Sequence, residues 1–355
     1  MSIPKLNVAI VGCGQVANDH IKSWHKVRQA RVVAVCDVDK ETVRSFAQIY
    51  GINRYYTDLI DLLENEEVSI VDICTPPQTH RDLGLQAMRA GKHVIFEKPL
   101  TITTSDAKSI IEHKPSDIKV GVIHNLLFEP PILELDSLIK RGELGDIISL
   151  RIDMLHGIHD RMLSNKGHWC HRLPGGRFGE MLSHPIYLLH NFLGYDICLR
   201  EVRTSKLSPY EWVSKDELYV LLEDESRKRF GRVYVSFNSP VDALYVTVIG
   251  SKGIAKAEVI TGTVIKLAHL RMQHRLDKGK AVLRQSCQML LSLAKNVARV
   301  LSGKWVTGLQ KCIQLFANSV LEGKELPPPI TLDSAYRNVK IVEEICAEIE
   351  KSGSS

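Results

Sequence analysis

The chain has 355 residues, enough for two domains at roughly 150 residues each. Its 44% hydrophobic and 25% charged residues are those of a globular protein, which excludes a disordered chain, a collagen-like fibre and a disulfide-stapled miniprotein. The net charge of +5 is local, because eight basic residues and one acid lie between Leu270 and Trp305, leaving a small negative balance elsewhere.

Met1 to Lys5 leads directly into the apolar run Leu6–Val11 with no signal-peptide layout, and no run approaches the ~18 uncharged apolar residues of a membrane span. The eight cysteines are scattered and never form Cys-x-x-Cys, so they read as reduced thiols of a cytoplasmic protein. Short apolar runs predict strands at Leu6–Val11, Arg31–Cys36, Ser69–Cys74, His93–Glu97 and Lys119–Ile123. Helical patterns alternate with them at Val16–Val27, Lys40–Tyr50, Leu59–Asn65, Thr79–Ala90 and Thr103–His113. Val- and Ile-rich strands without polar alternation suit a parallel sheet buried on both faces, and the alternation with helices predicts a doubly wound α/β domain over 1–124.

After Asn125 the pattern changes, and residues 125–355 are expected to form a second, α+β domain. A helix is predicted at Ile132–Arg141, a strand at Ile147–Asp153, a histidine-rich loop region, and a further helix at Gly179–Leu193. From Leu199 to Ala268 the chain is mainly strand, with runs at Leu218–Glu223, Arg229–Phe237, Ala243–Ile249 and Ile254–Val259 separated by short turns. That implies a large, mainly antiparallel open sheet. Helical patterns follow at Ala281–Leu301 and Leu309–Leu321, then an extended connector at Leu326–Thr331 and a closing helix over 333–351.

Three motifs carry chemistry. Gly12-Cys13-Gly14-Gln15-Val16-Ala17 is G-x-G-x-x-A between a strand and a helix. Gly12 permits the tight turn, Gly14 lets backbone amides approach a pyrophosphate, and Ala17 allows close helix–sheet packing. Asp37 ends the next strand, where a carboxylate accepts hydrogen bonds from a ribose 2′-OH and repels a 2′-phosphate. Its neighbour is Val38, not arginine, so NAD is expected over NADP. Glu97-Lys98-Pro99-Leu100 follows a strand end, which in open α/β sheets faces the ligand crevice, so Lys98 is placed to steady a developing alkoxide. In Gly175–His184, Glu180 and His184 stand four apart on one predicted helix face, where a carboxylate fixes the imidazole for proton transfer.

Together with Cys74-Thr75-Pro76-Pro77, His80 and Ala90-Gly91-Lys92-His93, these motifs resemble the glucose–fructose oxidoreductase, inositol dehydrogenase and MocA family. The resemblance is dense over the first domain and reaches to about His190 in the second. It implies a Rossmann domain followed by an open-sheet domain, and hydride transfer between a sugar-like or cyclitol alcohol carbon and a nicotinamide. By that resemblance Lys98 holds the reacting oxygen and His184 exchanges the proton, with Glu180 standing where the family commonly has aspartate. Gln15, Val16, Thr75, Pro76, His80, Glu97 and Asn125 then fall among the cofactor-binding positions. Departures fall at Pro77, Leu126, Leu127 and Tyr187, and they bear on the substrate more than on the cofactor.

His156, His159, Asp160, His168 and His171 cluster before the glycine pair, but the proposed oxidation needs no metal, and no metal site is expected there. Trp169, His171 and Arg172 are read instead as recognising substrate hydroxyls, an aromatic face stacking on a sugar ring. Within Ala281–Leu301 the residues Leu283, Cys287, Leu290, Ala294, Val297 and Leu301 recur at helical spacing, with Arg284, Gln288, Ser292, Lys295 and Arg299 opposite. The apolar stripe is expected to pack on the protein's own sheet or a neighbouring subunit. Contact with anionic lipid and attraction of a phosphorylated substrate are the sharper alternatives. No nucleic-acid recognition motif accompanies this basic segment, and no nucleic-acid partner is expected.

The reading is an NAD-dependent oxidoreductase acting on a carbohydrate-like alcohol (sugar, cyclitol or nucleotide sugar). An NAD-using glycosidase with transient sugar oxidation, or a non-catalytic dinucleotide-binding regulator, are the alternatives. Exposed apolar strand residues, among them Tyr219, Leu221, Tyr234, Val246 and Val248, point to a homodimer or homotetramer joined sheet to sheet.

Overall fold

A computed structural model describes residues 6–268, 275–303 and 305–351. Met1–Lys5, Leu270, Arg271 and Lys304, which entered the sequence reading, lie outside the described residues.

The first elements follow the predicted alternation: β1 (Leu6–Val11), α1 (Ala17–Trp24), β2 (Ala30–Cys36), α2 (Lys40–Tyr50), β3 (Tyr55–Tyr56), α3 (Leu59–Asn65), β4 (Ile70–Ile73), α4 (His80–Arg89), β5 (His93–Phe96), α5 (Thr104–Glu112) and β6 (Val120–Val122). Local chemistry sets the helix ends. Asp39, Asp58 and Thr103 accept backbone N–H groups at the starts of α2, α3 and α5, and Gly51 closes α2 in the left-handed conformation. All six strands pair in parallel, in the order β3-β2-β1-β4-β5-β6. That is a doubly wound sheet whose order reverses between β1 and β4, the place where such sheets bind ligands.

The second sheet is built from β7 (Ile147–Gly157), β8 (Ile197–Ser205), β9 (Glu217–Asp224), β10 (Arg229–Ser239), β11 (Ala243–Gly250), β12 (Gly253–Glu258) and β13 (Thr263–Ala268), in the order β13-β12-β11-β7-β10-β9-β8. Every pair is antiparallel except β7 with β10. The helices of this part are α6 (Pro130–Lys140), the short α7 (Arg161–Ser164), α8 (Arg177–Met181) and α9 (Ser183–Leu193). Residues from α6, α8 and α9 join one face of the sheet in a common core that includes Ile132, Phe178, Leu189, Ile152, Val233 and Val246. Side chains alternate along β10, with Val233 and Val235 buried and Tyr234 half-buried on the other face, directly across from Tyr219. Val246 and Val248 are fully buried. They belong to the covered face and add nothing to an exposed one, unlike Tyr219, Leu221 and Tyr234.

Three helices close the chain: α10 (Arg275–Leu301), α11 (Gly308–Glu322) and α12 (Leu332–Lys351). The chain divides into two compact units, one of 6–125 with 307–340 and the other of 126–306 with 341–351. The segment 307–340, which the sequence reading placed with the second domain, therefore belongs to the first unit. The reason lies in its packing: Phe316 of α11 sits where a side chain on Gly121 of β6 would be, and Gly121 also forms a bridge with Thr331. In the connector, Pro328–Ile330 turns as a single 3-10 helix. Leu332, Ala335 and Val339 join the first core, whereas Ile341, Val342, Ile345 and Ile349 join the second. Six cysteines are buried, with Cys198 and Cys287 exposed. No helix among the described residues is long and apolar enough to cross a membrane.

Candidate active site

In the first unit the chain leaves β1 through Gly12, whose φ of +92° is a conformation that side chains rarely adopt. A Cβ there would lie 2.8 Å from the Thr75 nitrogen and 2.9 Å from the Cys74 carbonyl carbon, so the turn after β1 presses against the turn after β4. Gly14 differs: a Cβ there would meet nothing within 4 Å, leaving the backbone open to a ligand. Gln15 is exposed, Val16 begins α1 without a side-chain cap, and Ala17 is fully buried against the sheet. The half-buried Asp37 follows β2, its Oδ2 accepting the Cys13 N–H at 2.7 Å and its Oδ1 the Asp39 N–H at 3.0 Å. Those two bonds tie the carboxylate to the glycine turn. Val38 beside it is almost wholly exposed.

The turn after β4 carries Thr75 and Pro76, both half-buried. His80, fully buried at the start of α4, places Nε2 2.8 Å from the Thr75 carbonyl and Nδ1 3.0 Å from the Leu100 carbonyl, joining the turns after β4 and β5. Burial holds this imidazole below its ordinary range, against the two carbonyls that each favour a donor.

After β5 come Glu97 and Lys98. Glu97 Oε2 accepts the Lys98 N–H at 2.8 Å, and Oε1 lies 2.9 Å from His20 Nε2. The other nitrogen of His20 reaches Asp72 Oδ2 at 2.8 Å, and Asp72 also accepts the Trp24 indole N–H at 2.7 Å. His20, Asp72 and Trp24 are completely buried and Glu97 nearly so. Burial alone would lower the His20 pKa, but the charge and hydrogen bond of Asp72 carry it well above its usual range. Burial would raise Glu97, but His20 and then Lys98 hold it below the ordinary carboxylate range. Glu97, which the resemblance places by the cofactor, sets one oxygen on His20 and the other on the Lys98 backbone N–H.

This network escaped the sequence reading. Its signals were a lone carboxylate inside the apolar strand Ile70-Val71-Asp72-Ile73 and a histidine on the buried face of α1 with Ala17, Ile21 and Trp24. His20, Asp72 and Cys74 also come close enough to hold a metal ion. The donor set does not favour one: burial, then the charge of Asp72, pushes the Cys74 thiol up to about 12, far from a thiolate, and both His20 nitrogens already face carboxylates.

In the second unit Gly175 and Gly176 both have positive φ, and Gly175 lies against Cys346 of α12. The helix expected over Gly179–Leu193 is broken at Leu182, which keeps a helical conformation, so Glu180 and His184 retain a one-turn spacing. The buried Arg177 ion-pairs with Glu180 and, at 3.2 Å, with Asp160, and lies over the Phe237 ring at 5.1 Å. Burial would lower Arg177, but Glu180 and Asp160 raise it further. His184 Nδ1 stands 2.8 Å from the Tyr187 hydroxyl, which also accepts the Leu126 N–H at 3.2 Å. Tyr187, noted in the sequence only as a departure, is thus a direct partner of the histidine. Asn125 opens a 3-10 turn, Asn125–Phe128. Trp169, His171 and Arg172 share a second, Trp169–Arg172. There Trp169 and His171 are half-buried, His171 Nε2 meets the Asn165 carbonyl at 3.1 Å, and Arg172 is exposed.

Comparison with known proteins agrees with this architecture. Residues 6–122 match the family described as "Oxidoreductase family, NAD-binding Rossmann fold", and residues 132–256 match the "GFO/IDH/MocA C-terminal domain". The chain is 30% identical over 145 residues to D-apiose dehydrogenase of Paraburkholderia graminis, a match covering 41% of this chain and 39% of that protein. Inositol 2-dehydrogenase of Salmonella typhimurium is 26% identical over 270 residues, 74% of this chain and 77% of that one. In fold, the chain superposes with a TM-score of 0.80 on the WlbA dehydrogenase of Bordetella pertussis, solved with NADH and UDP-GlcNAcA. The match is 17% identical and covers 99% of this chain and 97% of that one. With family models matched over 6–122 and 132–256, the chain belongs to the Gfo/Idh/MocA oxidoreductase family.

Proposed function

We propose that this protein is an NAD-dependent dehydrogenase that moves a hydride between an alcohol carbon of a sugar-like substrate (a sugar, cyclitol or nucleotide sugar) and the nicotinamide. The observation that carries the reading is the β1 turn: open space at Gly14 for a pyrophosphate, and Asp37 bonded to the Cys13 amide where a ribose would lie. The dinucleotide, when bound, supplies the hydride acceptor or donor. Asp37 accepts from the ribose 2′-OH and repels a 2′-phosphate. Thr75, Pro76, His80 and Asn125 shape the rest of the cofactor site, His80 acting by holding the Thr75 carbonyl.

Lys98 donates to the reacting oxygen and stabilises its charge, and His184 takes the alcohol proton. An Nδ1–H donated to the Tyr187 hydroxyl leaves Nε2 of His184 as the acceptor. Tyr187 therefore orients the base, and Glu180, one turn before His184 and ion-paired with Arg177, is the carboxylate of the proton-transfer pair. Trp169, His171 and Arg172 bind substrate hydroxyls. The relatives named apiose and inositol dehydrogenase, and the fold neighbour holding a UDP sugar, support a polyhydroxylated substrate.

Lys98→Ala and His184→Ala should each lower turnover by about 100-fold or more with NAD binding nearly intact. Wild-type turnover in both would remove the assignment. Isothermal titration should show NAD binding more tightly than NADP, and equal affinity would remove the role given to Asp37. Net NADH release distinguishes a dehydrogenase from a glycosidase that returns the hydride.

A further inference from the structure

Helix α10 packs on the second sheet by its polar side. Gln288 accepts the Lys266 N–H at 2.8 Å and donates to the Lys266 carbonyl at 3.1 Å, completing the open edge of β13. Asn296 donates to the Thr261 and Gly262 carbonyls at 3.1 and 3.0 Å, and Ala281 and Ser292 are buried on the same stripe. An edge strand offers unpaired N–H and C=O groups, and amide side chains satisfy them where leucines could not.

The consequence is an inverted helix. The apolar stripe expected to pack on the protein points away from it: Leu283, Leu290 and Leu301 are 66%, 65% and 82% exposed, and Leu276, before the stripe, is 77% exposed. Val282, Met289, Leu291, Leu293, Val297 and Val300 are exposed as well. Ten large apolar side chains on one helix form a patch beyond the ~300–600 Å² usual for a monomer.

Charge decides what covers it. The helix carries six basic residues and one acid, and Lys278, Lys280, Arg284 and Lys295 are exposed beside the apolar arc. At 100° per residue, Lys280, Arg284 and Lys295 fall along one border of that arc and Lys278 along the other. Two such helices paired from two copies would bring twelve basic residues together with two acids. An anionic bilayer surface instead takes the apolar face into its interface and the lysines and arginines among its headgroups. Trp305, 39% exposed just beyond the helix end, is a residue type favoured at that depth. We infer that α10 is an interfacial helix that seats this protein on an anionic phospholipid bilayer surface, lying on it without crossing.

The test is co-sedimentation of the full chain with vesicles. With phosphatidylcholine containing about 30% phosphatidylglycerol the protein should pellet, and it should stay largely in solution with phosphatidylcholine alone. Salt at about 0.5 M should weaken the binding. The double variant Leu283→Glu/Leu290→Glu should bind at least about tenfold more weakly while its NAD binding and turnover match wild type. Lys280→Glu/Arg284→Glu should lose the preference for anionic vesicles. A wild-type protein that stays in solution with both vesicles overturns the inference, as does equal binding to both. So does a Leu283→Glu/Leu290→Glu variant whose only change is dissociation of an oligomer, which would assign the face to a second copy.

Discussion

At His20 the chain buries an imidazole between Asp72 and Glu97, both themselves buried, and the net interaction holds the imidazole protonated and Glu97 ionised. The sign follows from each shift. The raised His20 contributes stability that is lost as pH rises through its folded pKa, and the depressed Glu97 contributes stability that is lost as pH falls through its own. Removing one partner strands the others, so His20→Ala should cost about 3–5 kcal/mol of unfolding free energy in urea titration. A loss below about 1 kcal/mol would show that the network is solvated. His124 behaves oppositely. Its Nδ1 lies 2.7 Å from the Pro329 carbonyl, and burial pulls its pKa down to about 4. A histidine kept neutral in the fold takes up a proton more readily when unfolded, so stability should fall as pH drops from about 6.5 to about 4, by ~3 kcal/mol at most. His124→Asn retains a donor without the titration, and its stability should be flatter over that window. An unchanged slope would assign the pH dependence to other groups.

The β1–α1 turn makes a prediction at the scale of the element. Gly12→Ala forces a Cβ onto the Thr75 backbone at a φ of +92°, so both stability and dinucleotide binding should fall. Gly14→Ala meets nothing in the protein. Its melting temperature should stay near wild type while NAD affinity drops by about tenfold, because the methyl group occupies the phosphate's approach. Calorimetry and titration on the two variants separate a glycine needed by the fold from one needed by the ligand. Elements with strong internal signals were legible: β1, α2 and α3 occur as expected. β3 was not expected, and β8 and β13 fall in the stretch read as mainly strand without bounds of their own. β3 has two residues, and β8 and β13 are edge strands, where one neighbour is missing and alternation with polar residues weakens the apolar signal.

For the molecule as a whole, the second sheet presents Tyr219, Leu221 and Tyr234 on the face opposite its helical cover, each half-buried. We expect a homodimer or homotetramer joined through that face, read as a mass above 39.9 kDa by light scattering at micromolar concentration. Tyr234→Glu should lower the mass without changing the fold. A wild-type monomer would leave the sheet face to another use, whereas the α10 variants should leave the mass unchanged. The two surfaces are thereby tested separately.

Local periodicity and residues close along the chain were enough to read the succession of strands and helices in the first sheet, the glycine turn and the position of Asp37 and of Glu97-Lys98 at strand ends. The family resemblance added the roles of Lys98 and His184. Only the tertiary structure joined His20 to Asp72 and Glu97, which are 52 and 77 residues away, or turned Tyr187 toward His184. It also decided which way α10 faces. Amphipathicity says that a helix has two sides, but which side meets the protein depends on the partner, and here the partner is a strand edge with open hydrogen-bonding groups.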